Sequence, residues 1–211
     1  GKSYDKGEVR DVQNHPAVLL HTKQTDQTHI CLGARGFNLF DPRKYVAQLM
    51  ATVLGGGMSS RMFISVRERK GLVYYVSTMC DSDTDTGSIL TRAGIDNTKV
   101  EKAVATIVSE YKKIKREKVS DSELKKAKNY IRGKTYLGLE ASDDVAEFLG
   151  GQEILENQIL STEEILKHLE SVTPKQVQGV AREMFVPEHM NLALVGPFED
   201  KSKFEELIGE I

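Results

Sequence analysis

The order of strand-like and helix-like runs constrains the fold of this chain more than any other feature. Two apolar runs with strand character, 17–23 and 28–37, flank the polar turn QTDQ, and two more, 72–80 and 87–95, flank DSDTDT. The intervening and following segments have apolar residues at helical spacing, and a late strand-like run covers 191–198. Hairpins followed by helices predict an α+β fold, in which an antiparallel sheet carries helices packed on one face.

Capping residues predict where the first helices begin. Asp41, directly before a proline, is typical of an N-cap, and the glycine run at 55–57 ends the helix that follows. Ser59 is the predicted N-cap of a second helix, with Met58 and Phe63 at the two positions of a hydrophobic staple.

Gly71 and Ser120 are the strongest boundary signals further along the chain. Gly71 suits the left-handed position after the last turn of the second helix. A long amphipathic helix follows over 100–114, and Ser120 with Glu123 has capping-box spacing at the start of the next one. The later helices are predicted near 143–156, 161–171 and 174–185, with a closing helix at the end of the chain.

Composition is that of a globular domain. Hydrophobic residues make up 39% of the chain and charged residues 28%. No apolar run approaches the roughly 20 residues that a membrane span needs, and a net charge of −2 argues against nucleic acid as the main partner. The polar opening, residues 1–14, is interpreted as a linker-like segment, and residues 15–211 as a single domain of a longer protein.

Charge is unevenly distributed along the helical part of the chain. Residues 99–134 hold 12 Lys/Arg and 5 Asp/Glu, whereas residues 140–170 hold 9 Asp/Glu and one Lys. Two solvated helical faces that attract each other are the favoured interpretation. A charged surface for a partner domain is the alternative.

Cys31 and Cys80 both lie in strand-like runs and have no metal-site spacing. We expect buried free thiols, as in a reducing compartment, and a cytoplasmic location is favoured.

No metal site is apparent in the sequence. Neither His-Glu-x-x-His nor His-x-x-Glu-His occurs, so no zinc ligands are predicted in this chain. Only His21 and His29 are candidate neighbours. A four-residue loop between their strands would place His21 opposite Ile30, so that the two imidazoles point to opposite faces.

Arg67 and Tyr74 are the candidate functional residues, and each also has an ordinary structural explanation. A cation near a helix C-terminus is favourable by roughly 0.3–1 kcal/mol. A tyrosine in a strand has good β-propensity. The pattern alone leaves both interpretations open.

The stretch LGGGMSSRMFISVRERKGLVYYVS resembles the signature of the second homologous half of the pitrilysin, insulin-degrading enzyme and mitochondrial-processing-peptidase family. TDQTHICLGARGF and SDSELKKAKNYIRGKTYLGLEASDDVAEFLGGQEIL are similar to the bacterial processing-peptidase branch. The resemblance runs in the same order from about residue 15 to residue 197.

This resemblance implies a substrate-binding C-terminal half of a zinc-dependent metalloendopeptidase. In the family, the first half carries the zinc ligands and the second half supplies an arginine and a tyrosine to the peptide. These fall on Arg67 and Tyr74, seven residues apart, as catalytic and substrate-binding residues. Zinc is therefore expected in the intact enzyme, and this chain alone is expected to be inactive.

Two alternatives stay open. In the first, the chain is a non-catalytic scaffold or binding subunit of the same fold. In the second, it is a complete small subunit that pairs with a separate zinc-bearing subunit. The expected partners are the zinc-bearing half or subunit and a peptide substrate, and a homodimer is left open.

Overall fold

The computed structural model describes Gly7, residues 9–10 and residues 12–211. Most of the predicted linker-like segment, 1–14, lies outside the described residues. The described part contains five strands and seven α-helices in mixed order, and the predicted α+β class is confirmed. These elements are β1 (Ala17–Thr22), β2 (Gln27–Arg35), α1 (Lys44–Gly55), β3 (Val73–Ser82), β4 (Gly87–Asp96), α2 (Val100–Arg116), α3 (Asp121–Leu137), α4 (Ser142–Glu156), α5 (Thr162–Ser171), α6 (Pro174–Met184), β5 (Met190–Gly196) and α7 (Ser202–Gly209).

The strands form one five-stranded sheet in the order β1-β5-β2-β4-β3. Three of its pairings are antiparallel, as predicted, but β1 and β5 are parallel. The expected pairing of β1 with β2 is therefore wrong, because β5 lies between them. Chain neighbours often pair in sheets, and nothing local in the sequence indicates that a strand about 170 residues away takes this place.

One face of the sheet packs against the helices. On β2 and β4 the side chains of this face, such as Leu32, Ile89 and Ile95, are fully buried. They pack with the apolar faces of α1, α2 and α6 in a single core. On the other face, which we call the open face, the side chains are exposed or half-buried, including Leu19, His29 and Arg92.

Helix α1 begins later than the sequence predicts. Its N-cap position is Arg43, and Asp41 instead accepts a hydrogen bond from the Arg43 backbone N–H at 2.8 Å. Asp41 thus closes a turn before the helix, as aspartate side chains commonly do. The predicted later helices and the closing helix are all confirmed within a few residues.

The oppositely charged regions do meet, which supports the first interpretation of their charge. Arg132 of α3 forms an ion pair with Glu170 of α5 at 2.6 Å. Lys128 donates to the carbonyl oxygens of Glu170 and Val172, each at 2.7 Å. Both partners of the ion pair are almost half exposed, so its contribution to stability is below about 1 kcal/mol.

Neither cysteine forms a disulfide, and both are half-buried rather than buried. Burial, followed by the nearby charge of Asp81, raises the pKa of the Cys80 thiol to about 12. None of the described helices is long and apolar enough to cross a membrane.

Candidate functional site

Arg67 lies in a π-helical segment, Phe63–Glu68, between α1 and β3. The predicted staple is wrong, because Met58 is 79% exposed and contributes nothing to the core. No side chain among the described residues caps this segment, so the N-cap prediction for Ser59 is wrong as well. The π-helix is rare in proteins, and the single turns that do occur are frequently found at functional sites.

The Arg67 side chain is exposed at the last turn of this segment. Its guanidinium lies 4.9 Å from the centre of the Phe63 ring. No described residue forms a hydrogen bond or an ion pair with it. All of its N–H donors are therefore available to a ligand. Its position at the end of the helical segment is also favourable for a cation.

Gly71 connects the π-helical segment to β3. Its φ of +56° is in the left-handed region, which confirms the predicted role of this glycine. Two backbone hydrogen bonds, both of 3.0 Å, join the N–H of Gly71 to the Arg67 carbonyl and the N–H of Leu72 to the Val66 carbonyl. The turn is therefore hydrogen-bonded directly to the backbone of Arg67, one of the two candidate functional residues.

Tyr74 is the extra residue of a β-bulge. Val73 pairs with Ile95 and Tyr75 pairs with Gly94, so that Tyr74 has no partner of its own on β4. Val76 and Thr78 face the helices, and in a regular strand Tyr74 would face them too. The bulge reverses this alternation, and the Tyr74 side chain is 53% exposed.

The sequence reasoning missed a contact beside Tyr74. The Tyr75 hydroxyl lies 3.1 Å from Nδ1 of His29, although β4 runs between their strands. Gly94 is the residue of β4 at this position, paired with both His29 and Tyr75. The glycine in TRAGID was the only available signal, since an isolated glycine in a strand often marks a close approach.

Two histidines lie on the same face of the sheet. His21 and His29 each pair with Val195 on β5, so their side chains share the open face, and the predicted divergence is wrong. One strand separates the two histidines, so the usual strand spacing places their backbones about 9–10 Å apart. Within the described residues, no three His, Cys, Asp or Glu side chains are grouped to hold a metal ion. This part of the chain therefore does not fit a zinc site.

The fold and the site together define an α+β domain that exposes an arginine and a tyrosine on either side of a glycine turn. Residues 1–131 match the family described as the peptidase M16 inactive domain, and the chain belongs to this family. The family resemblance found in the sequence is thereby confirmed.

Two bacterial relatives are similar over most of the chain. It is 33% identical over 183 residues to the uncharacterized zinc protease YmxG of Bacillus subtilis, covering 87% of this chain and 44% of that protein. It is 32% identical over 192 residues to an uncharacterized zinc protease of Streptomyces coelicolor, covering 91% of this chain and 42% of that protein. The chain thus spans less than half the length of these relatives.

Solved structures share the fold. The peptidase M16 inactive domain of Pseudomonas fluorescens superposes with a TM-score of 0.81 at 18% identity, covering 94% of this chain and 48% of that one. A chain of complex III2 from Candida albicans superposes with a TM-score of 0.79 at 16% identity, covering 92% of this chain and 49% of that one. At such identities the likeness concerns the fold alone.

Proposed function

We propose that this chain is the substrate-binding half of a zinc-dependent metalloendopeptidase, and that it contacts the peptide through Arg67 and Tyr74. The observation that carries the proposal is the exposure of both side chains on either side of the Gly71 turn, each in an irregular stretch of backbone. π-Helical turns and β-bulges both occur preferentially at functional sites. In this chain one of each lies within 12 residues, over 63–74.

The chemistry of the two side chains suits peptide hydrolysis. Attack of water on a peptide carbonyl places negative charge on its oxygen, and a tyrosine hydroxyl positioned there donates a hydrogen bond that strengthens as the charge develops. A guanidinium presents paired N–H donors, which suit the backbone carbonyls of an extended peptide. Arg67 would thus bind the peptide, and Tyr74 would stabilise the developing oxyanion.

The metal would come from a partner half. The relatives that are named zinc proteases are about twice as long as this chain, and the described residues offer no ligand cluster. We assign the zinc ligands to the remaining half of the intact enzyme, or to a separate subunit. Residues 15–211 would form the substrate-binding domain, and residues 1–14 would link it to that half.

The surface of α4 supports such a partner. Only Gln152 of this helix is buried, whereas Leu149, Ile154 and Leu155 are 38%, 83% and 53% exposed. A helix of 15 residues gains most of its stability from packing, and exposed apolar side chains in a group commonly mark an interaction site. The zinc-bearing half is the partner that we assign to this surface.

Steady-state kinetics of the intact, zinc-loaded enzyme on a fluorogenic peptide test the proposal. Tyr74→Phe removes one hydroxyl and should lower kcat by about 10²–10³-fold, the usual cost of one oxyanion donor. KM should change less, because the interaction strengthens in the transition state. Arg67→Ala should also raise KM, since carbonyl contacts form before the chemical step.

Zinc content and thermal stability serve as controls. Neither substitution should change bound zinc, and Arg69→Ala, a nearby exposed cation without the seven-residue offset, should leave turnover unchanged. If Arg67 only stabilises the helix terminus, its loss would lower the melting temperature slightly and spare turnover. Wild-type turnover in both variants, with the fold intact, would refute the proposed contacts.

The second candidate function is a non-catalytic scaffold of the same fold, because a chain of complex III2 has this fold as well. This candidate predicts that the intact protein, saturated with zinc, cleaves no unstructured peptide. Measurable cleavage that a chelator abolishes would exclude it.

A further inference from the structure

We propose that Tyr75, held by His29 across Gly94, is a positioning residue that sets the direction of the Tyr74 side chain. This inference rests on the proposed function, because it matters for activity only if Tyr74 contacts the peptide. It adds two residues, Tyr75 and His29, that the Arg67 and Tyr74 pattern does not include.

The register of the sheet brings the three residues together. His29 on β2, Gly94 on β4 and Tyr75 on β3 form one cross-strand row on the open face. A Cβ atom added to Gly94 would lie 2.5 Å from Cε1 and 2.9 Å from Cδ1 of Tyr75. The Tyr75 ring therefore lies across the glycine and reaches over β4 toward β2.

His29 holds the far end of that ring. Its Nδ1 is 3.1 Å from the Tyr75 hydroxyl, and the two rings are stacked with centres 6.1 Å apart and planes inclined by 29°. One residue thus anchors Tyr75 to a strand that is not its neighbour. Any side chain at position 94 would block this arrangement, since it would occupy the space of the ring.

Because of the β-bulge, the direction of the Tyr74 side chain depends on the contact between Tyr75 and His29. Its extra residue, Tyr74, has no partner on β4, and β3 is the edge strand of the sheet that the described residues form. The backbone of a bulge has lost part of its hydrogen-bond ladder, so the direction of Tyr74 depends on what holds the residues beside it. Tyr75 is the second residue of the bulge, and its tie to β2 restricts the rotation of the peptide unit that carries Tyr74.

Three substitutions in the intact, zinc-loaded enzyme test this role. Tyr75→Phe removes the hydroxyl, His29→Ala removes its partner, and Gly94→Ala fills the space under the ring. We expect kcat to fall about tenfold for the first two and up to about 10²-fold for Gly94→Ala, the range associated with a displacement of about 1 Å at a catalytic group. KM should change little, and His29→Gln, which keeps a hydrogen-bonding group, should recover part of the loss.

Two comparisons separate positioning from general destabilisation. His21→Ala changes a histidine on the same face that pairs with the same residue, Val195, and should leave kcat unchanged. In a Tyr74→Phe background, Tyr75→Phe should cause no further loss of kcat, because the hydroxyl that it positions is already absent. Full additivity of the two losses would overturn the proposal.

The outcome remains distinct from that of the proposed function. If Tyr74→Phe lowers kcat while Tyr75→Phe and His29→Ala match wild type, the positioning role is wrong and the substrate contact stands. If Tyr74→Phe is silent, the proposed contact fails, and NMR of ¹³C-labelled tyrosine then decides the inference. A shift of the Tyr74 ring resonances in both Tyr75→Phe and His29→Ala supports positioning, and unchanged resonances overturn it.

Discussion

Arg61 and Glu123 form an ion pair that joins the segment before the π-helical turn to helix α3. Nε of Arg61 donates to one carboxylate oxygen at 2.6 Å, and Nη2 donates to the other at 2.9 Å. The backbone N–H of Glu123 bonds to the Ser120 side chain as expected for a cap, at 3.2 Å. Its carboxylate, however, accepts hydrogen bonds from Arg61 and does not complete the predicted capping box. The pair therefore ties the candidate site to the helical layer.

This ion pair should make stability depend on pH in acid. Burial raises the pKa of Glu123, but the hydrogen bond and charge of Arg61 outweigh it and hold that pKa below 4.5. A lowered pKa adds stability that is present above the unfolded value and is lost as pH falls through the folded value. Glu123→Gln should lower the free energy of unfolding by about 1–3 kcal/mol at pH 7, as measured by urea denaturation.

The difference between Glu123→Gln and wild type should shrink as the pH falls below about 4.5. Glu170→Gln is the matched control, because it removes the exposed ion pair with Arg132, and it should cost less than about 1 kcal/mol. A Glu123→Gln penalty that stays constant from pH 7 to pH 3 would contradict the assigned pairing.

Gly71→Ala should destabilise the domain through its backbone alone. A Cβ at this position meets no atom within 4 Å, but φ is +56°, a conformation that costs non-glycine residues about 1–2 kcal/mol. Gly133, inside α3, also has open space around it, and Gly133→Ala should stabilise by about 0.5–1 kcal/mol. Thermal melts of both variants check the opposite signs. Equal effects would argue against the left-handed turn.

Tyr111→Phe should lower the stability of the domain, because it removes a buried hydroxyl group. The Tyr111 side chain is fully buried, with its hydroxyl 2.5 Å from that of Thr91 and 3.1 Å from the Leu32 carbonyl oxygen. Its ring stacks on Phe185, and we expect the phenylalanine ring to occupy the same place. Because partners would be left unsatisfied, the free energy of unfolding should fall by about 1–3 kcal/mol. Tyr136→Phe, at a 50% exposed site, should be close to neutral in the same denaturation assay.

The isolated chain should bind no stoichiometric zinc and cleave no unstructured peptide. The described residues contain no ligand cluster, and the sequence has no nucleophile motif. Elemental analysis after a chelator rinse and a fluorogenic peptide assay measure the two properties. One tightly held zinc per chain, or cleavage that a chelator does not inhibit, would overturn the assignment of the metal to another half. Addition of the zinc-bearing half in trans should restore cleavage.

Local signals in the sequence predicted much of the fold. The helical spacing of Val104, Ile107 and Tyr111 identified α2, and these residues are fully buried as expected. Starts of helices were predicted less well: Ser120 caps α3, but Asp41 and Ser59 do not cap the helices assigned to them. Caps depend on the direction from which the chain enters a helix, and the tertiary structure determines that direction.

By itself, the sequence determined which residues form strands and helices, that Gly71 takes a left-handed turn, and that Arg67 and Tyr74 resemble the residues of a known pair. Periodicity and the conformational freedom of glycine act over a few residues, so a single chain reveals them. Only the tertiary structure decided that β5 lies between β1 and β2, that a bulge exposes Tyr74, and that the Tyr75 ring reaches His29 across Gly94. Each of these depends on the register between strands far apart in the chain, and register is chosen by the burial of the whole sheet against its helices.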